Sequence, residues 1–169
     1  MAGAEEGYAA AMYDVGHFYK NGTGVAVDAR EAVKWYTRAA EAGLTEAQNN
    51  LGVCYRDGAG VAADARAAVK WFTRAAEAGD AVAQLSLGAC YQRGAGVAAD
   101  AGEAVKWWTR AAEAGLAVAQ CNLGACYANG TGVARDFAAA RKWLTRAAAA
   151  GDARAPGMLA RLDAAEAAQ

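Results

Sequence analysis

The sequence predicts an all-α protein assembled from helix–turn–helix repeats of 36 residues. Two observations carry this. Trp35, Trp71, Trp107 and Trp143 each stand 36 residues after the last, and Gly43, Gly79, Gly115 and Gly151 keep the same interval. So do the sets beginning at Ala47, Leu51 and Tyr19. The composition agrees: 20 glycines against a single proline suit long helices separated by Gly-marked turns. Strand formers in period-two alternation are hard to find.

Each unit opens with a helix A. Ala47, Leu51 and Tyr55 fall at i, i+4 and i+8, on one helical face. Gly52, Gly88 and Gly124 sit mid-helix, where glycine costs about 1 kcal/mol relative to alanine. Its recurrence predicts a close backbone approach to a neighbouring helix.

A Gly-x-Gly-Val connector follows: "NGTGVAVD" at 21–28, "DGAGVAAD" at 57–64, "RGAGVAAD" at 93–100 and "NGTGVARD" at 129–136. Taken alone, such a stretch invites a phosphate-cradle reading. It lacks the third glycine of a dinucleotide fingerprint and the Gly-Lys-Ser/Thr of a P-loop, and it follows a helix instead of a strand. We read it as a turn in which Gly58 and Gly60 adopt conformations open to glycine and Val61 anchors the loop.

Helix B starts at Asp28, Asp64, Asp100 and Asp136, good N-caps because the carboxylate accepts orphan amide protons. Asp28 with Glu31 and Asp100 with Glu103 have capping-box spacing, which the other two units lack. Ala32, Trp35 (or Tyr36), Ala39 and Ala40 form an apolar stripe, with the tryptophan expected to fill the volume the alanines leave. Gly43 and its equivalents are expected at the left-handed C′ position.

The whole chain, 1–169, reads as a single domain with units at about 7–42, 43–78, 79–114 and 115–150. "GAEEG" at 3–7 matches the tail of a helix B. Residues 151–169 form a C-terminal capping helix, with Pro156 suited to its first turn.

The stretch "AQNNLGVCYRDGAGVAADARAAVKWFTRAAEAG" resembles the Sel1-like repeat, a relative of the tetratricopeptide repeat. Its elements are Ala-Gln, Leu-Gly-x-x-Tyr, Gly-x-Gly-Val-x-x-Asp, Ala-x-x-Trp and Ala-Ala-x-x-Gly, in register over nearly all of the chain. The resemblance implies a right-handed α/α superhelix (a solenoid) and a role as a scaffold or adaptor in protein complexes. Some cysteine-rich bacterial relatives bridge helix A to helix B by disulfides, whereas helix B here carries no cysteine.

The chemistry-bearing residues do not assemble into a catalytic or metal pattern. Cys54, Cys90 and Cys126 repeat on helix A, roughly 10 Å apart if stacked helices are 8–10 Å apart, beyond disulfide reach. They and Cys121 read as small buried apolar residues. His17 is the only histidine and stands where later units have Val53, Ala89 and Ala125. It reads as a solvated polar side chain or a binding-surface residue. The basic row Lys34, Lys70, Lys106, Lys142 with Arg38, Arg74, Arg110 and Arg146 runs beside Glu41, Glu77 and Glu113, a self-compensated face. With a net charge of −1, the chain shows no footprint of a nucleic-acid binder. No cofactor is expected, and no membrane span. "MAGAEEGYAA" has no secretory-signal pattern, so a cytoplasmic location is expected, and the two N-x-T sequons at Asn21 and Asn129 read as by-products of the turn.

Function should therefore sit on positions that vary between units. On helix A these are Glu46/Val82/Val118, Tyr13/Asn49/Leu85/Cys121, His17/Val53/Ala89/Ala125 and Lys20/Arg56/Gln92/Ala128. Their spacing of i, i+3, i+7 and i+10 gives one face, which in the similar tetratricopeptide repeats lines the concave groove. The expected partner-binding residues are Tyr13, His17, Lys20, Asn49, Val53, Arg56, Leu85, Gln92 and Cys121. They suit a protein or peptide whose acidic end meets Lys20 and Arg56 and whose apolar end meets Leu85. The alternatives are the substrate-recognition or regulatory part of an enzyme, or a segment of a longer repeat protein.

Overall fold

Aspartates and glycines set where the helices start and stop. The computed structural model describes residues 2–167, and side chains from residue 7 onward. The described residues form nine α-helices and no strand: α1 (Ala2–Asn21), α2 (Ala29–Glu41), α3 (Thr45–Asp57), α4 (Ala65–Glu77), α5 (Ala81–Arg93), α6 (Ala101–Glu113), α7 (Ala117–Asn129), α8 (Phe137–Ala149) and α9 (Ala155–Ala167). Odd-numbered helices are helix A and even-numbered ones helix B. The last two residues of the expected capping segment lie outside the described residues.

Each helix B begins as its sequence dictates. Asp28, Asp64, Asp100 and Asp136 are extended N-caps whose carboxylates accept first-turn amide protons. The capping box closes only by half. The backbone N–H of Asp28 donates to the Tyr19 carbonyl at 2.9 Å, so it has no need of Glu31, which pairs with Lys34 instead. Asp100 and Glu103 repeat this with Tyr91 and Lys106. The same Tyr-to-Asp bond recurs from Asp64 to Tyr55 and from Asp136 to Tyr127, each at 2.9 Å. It ties the end of every helix A to the start of its helix B.

Helix B ends in a Schellman motif. Leu44 N–H donates to Ala39 and Gly43 N–H to Ala40, at 3.0 and 3.1 Å, with Gly43 at φ 92°. Gln48 reinforces the joint: its Nε2 donates to the Ala40 carbonyl at 3.2 Å, as Gln120 does to Ala112 at 3.1 Å. This is the physical content of the Ala-Gln element. Gly7 differs from the expected helix end, because α1 runs through it unbroken.

Packing corrects the expected role of the first aromatic. The fully buried residue of helix B is the next one: Tyr36 and Phe72 at 0% exposure, Trp108 at 2% and Leu144 at 0%. Each lies on the mid-helix glycine of its own helix A. A Cβ on Gly16, Gly52, Gly88 or Gly124 would sit 2.5–2.7 Å from that side chain. Trp71 is buried, but Trp35, Trp107 and Trp143 are only half-buried. Their rings carry the guanidinium of the arginine three residues on, 4.5–5.1 Å from the centroid, and Arg74 sits likewise over Trp71. The basic row is therefore compensated by aromatic faces as well as by Glu31 and Glu103.

Anchoring by the connector valine differs between repeats: Val61 packs against the core, whereas Val25 is 40% exposed.

Two compact units make up the chain, one ending at Ala83 and the other starting at Gln84. The first is centred on Met12, Tyr36, Ala39, Ala47 and Leu51. The last part of the second is centred on Cys121, Leu144, Ala155 and Leu162.

Candidate functional site

In the first unit, α1 carries Tyr13 and His17 one turn apart. Their rings meet edge-on at 4.6 Å, and both abut the buried Tyr36 of α2, at 5.7 and 5.6 Å. From α3, Asn50 Nδ2 donates to Tyr13 Oη at 3.0 Å and lies 3.3 Å from His17 Nε2. Tyr36 Oη is buried without a hydrogen-bond partner. Burial raises the pKa of the Tyr13 phenol, with the Asn50 bond opposing it, and pushes Tyr36 well above the ordinary tyrosine value. His17 is thus a half-buried ring between two tyrosines, not a solvated side chain.

Among the other first-unit candidates, Val53 and Asn49 are half-buried, with Asn49 Oδ1 buried and unpaired. Lys20 is exposed. Arg56 is exposed but engaged: its Nε and Nη2 donate to the two carboxylate oxygens of Asp57 at 2.7 and 2.9 Å, holding Asp57 below the usual carboxylate range. The cationic end expected from Lys20 and Arg56 therefore rests mainly on Lys20.

In the second unit Leu85 is half-buried, and its carbonyl accepts a bond from Trp108 Nε1 at 3.2 Å. Gln92 is exposed and, with Trp108, Asn122, Ala125 and Cys126, lines a cleft of about 110 Å³. A larger cleft of about 330 Å³ lies one repeat further on, walled by Phe137, Leu144, Met158 and Leu162 and flanked by Arg135 and Arg161. Position by position the two clefts are equivalents: Trp108 matches Leu144, Asn122 matches Met158, and Ala125 matches Arg161.

Cys121 requires a correction. It is 1% exposed, because α9 lies over it and brings Met158 Sδ within 3.4 Å of its Sγ. The capping helix covers in this unit the position that Tyr13 occupies in the first. All four cysteines are buried and carry no disulfide. Burial raises the pKa of Cys126 to about 11. Among the described residues, no three His, Cys, Asp or Glu side chains form a group able to hold a metal. No described helix is long and apolar enough to cross a membrane.

The sequence profile of the Sel1 repeat matches residues 9–44, 45–80, 81–116 and 117–152. The chain belongs to the Sel1 repeat family. Solved relatives of this Sel1 repeat protein include the Sel1 repeat protein from Oxalobacter formigenes, 41% identical, with a TM-score of 0.85 over 90% of this chain and 62% of that one. Another is c5321, a protective antigen of uropathogenic Escherichia coli strains displaying an SLR fold, 44% identical, with a TM-score of 0.84 over 88% of this chain and 32% of that one. The chain thus spans less than two thirds of the length of either. Helicobacter pylori cysteine rich protein B, at 21% identity, a TM-score of 0.63 and coverage of 78% and 95%, shares the fold. No curated protein matches the chain. Sel1 repeat proteins generally act as protein-interaction scaffolds and are typically non-catalytic.

The position of Tyr36 in helix B, read only as part of the apolar stripe, and Asn50, which bonds Tyr13, are the site residues that sequence reasoning missed. The signal was present: Tyr36, Phe72, Trp108 and Leu144 change chemistry from unit to unit, as a residue facing both core and cleft would.

Proposed function

We propose that this chain is a non-catalytic protein-binding module that takes a peptide or a protein segment along the variable face of helix A. One observation carries the reading. Two equivalent clefts, each bounded by helix A, its helix B and the next helix A, carry unlike linings: one is amide-bearing at Gln92 and Asn122, the other apolar with two arginines at Leu144 and Met158. The matching positions of the first unit carry the half-buried Tyr13, His17 and Asn50, joined by hydrogen bonds. A constant scaffold with variable pockets suits residue-by-residue reading of an extended partner. The polar pockets favour hydrogen-bonding side chains, and the Met158 pocket favours an apolar residue beside an acidic one.

Peptides selected from a displayed library against the chain provide the test. Tyr13→Ala, Gln92→Ala and Met158→Ala should each weaken a selected peptide by roughly tenfold, the scale of losing one good contact. Loss of binding on reversing Lys70 on helix B, with the cleft variants unchanged, would place binding elsewhere and end the proposal.

A further inference from the structure

The cleft beside Met158 departs from the one that precedes it. It holds about 330 Å³, against about 110 Å³ for its equivalent one repeat earlier. Its lining breaks the repeat pattern on every wall. Phe137 stands where Ala29, Ala65 and Ala101 do, and Arg135 where Val27, Ala63 and Ala99 do. Met158 matches Asp14, Asn50, Ser86 and Asn122, and Arg161 matches His17, Val53, Ala89 and Ala125. Phe137 and Met158 add apolar bulk, and the two arginines add positive charge.

The cleft is open because the chain takes a different course beside it. After α7 the connector folds over the start of α6: a Cβ on Gly132 would fall 2.1 Å from the Ala101 carbonyl oxygen. In α9, Glu166 replaces the first connector glycine of Gly22, Gly58, Gly94 and Gly130, and the helix runs through it to Ala167. Asp163 and Glu166 both pair with Arg141 of α8. These pairs hold α9 in its straight course, and Phe137 stays half-buried in the cleft wall.

Among the described residues no carboxylate lines the cleft. The acidic residues nearest its arginines in sequence are engaged elsewhere. Asp136 accepts the Ala139 amide proton, and Asp163 pairs with Arg141. Arg135 is held with its guanidinium 5.2 Å from the Phe137 ring centroid. An apolar cleft thus carries positive charge on two walls and no negative charge of its own.

We infer that this cleft takes the C-terminal residue of a partner chain, a narrowing of the peptide-binding reading above, on which it rests. A large apolar side chain enters among Phe137, Leu144, Met158 and Leu162, and the free carboxylate meets Arg135 and Arg161. Adjacent side chains of an extended peptide point to opposite sides, and the next on the same side lies about 7 Å along. An internal acidic neighbour therefore turns its charge away from the cleft that holds the apolar side chain. A C-terminal residue carries both groups on one Cα. Its two carboxylate oxygens accept charge-assisted hydrogen bonds from both guanidinium groups.

Selection against the chain from a random peptide library displayed with free C-termini tests this. Selected peptides should converge on Leu, Ile, Met or Phe as the last residue. Amidating the C-terminus of a selected peptide should weaken it roughly tenfold or more, and adding one glycine there should do the same. Arg135→Gln/Arg161→Gln, both exposed positions, should weaken the free-acid peptide as strongly and leave the amidated one nearly unchanged. Arg93→Gln, an exposed arginine outside the lining, should change neither. Circular dichroism identical to the parent shows that the variants remain folded. Peptides that lose affinity with Tyr13→Ala or Gln92→Ala but tolerate amidation would overturn the C-terminal assignment and leave the general reading standing. A library that yields no binder would end both.

Discussion

Phe72 lies where a side chain on Gly52 would have to be: a Cβ there would stand 2.6 Å from the ring's Cδ1 and Cε1. This one contact explains two repeated features, a helix-breaking residue inside helix A and an aromatic on the face of helix B. The glycine's cost in helix propensity, about 1 kcal/mol, is outweighed by seating a fully buried ring against the backbone. Gly52→Ala should therefore destabilise the fold by about 1–3 kcal/mol, the usual scale of overpacking. Urea unfolding with tryptophan fluorescence measures it, and a more stable variant would contradict the packing account.

The two adjacent aromatics of helix B should separate clearly. Phe72→Ala removes a ring at 0% exposure and should cost about 3–5 kcal/mol. Trp35→Ala removes a half-buried ring stacked under Arg38 and should cost less, on the order of 1–2 kcal/mol. Denaturant midpoints in the reverse order would restore the repeated tryptophan as the main core residue.

Glycines of positive φ divide by what surrounds them. Gly43, at φ 92°, has open space around its Cα hydrogen, so Gly43→Ala should cost only the left-handed strain of about 1–2 kcal/mol. Gly60, at φ 76°, presses on the start of α2: a Cβ would fall 2.0 Å from the Ala29 carbonyl oxygen. Gly60→Ala should cost several times more or prevent folding. Paired thermal melts decide this, and equal losses at the two sites would remove the steric argument.

Asp152 gives a pH dependence to the last helix. Its side chain is 4% exposed and accepts from Arg154 Nη2 at 2.7 Å and from the Arg154 amide at 2.9 Å. Arg154 holds its pKa below the ordinary value. A depressed carboxylate contributes stability that is fully present above its unfolded pKa, near 4, and is lost as pH falls through the lower folded value. Asp152→Ala should thus destabilise α9 by about 1–2 kcal/mol at pH 7, as for a lost helix cap, with the difference shrinking as pH falls through the lowered folded value. Amide exchange of α9 in both proteins across that range reads it directly, and a difference that persists in acid would remove the carboxylate from the explanation.

The sequence by itself determined the helices and their ends. A 36-residue interval, an aspartate before each helix B and a glycine after it are local signals, because capping and left-handed turns are decided within about six residues. Tertiary structure decided what lies against what. Glu31 has the spacing to close a capping box, but the amide it would reach is already bonded to Tyr19 across the connector. Tyr36 and Trp35 are neighbours in sequence, yet only the neighbouring helix A selects which ring is sealed inside. Cys121 shares a repeat position with Tyr13, but α9, which follows it in the chain, buries one while the other stays half-buried. Local chemistry fixes an element because its partners are near along the chain. A cleft is fixed by residues far apart in sequence, and burial there depends on shapes that meet only after folding.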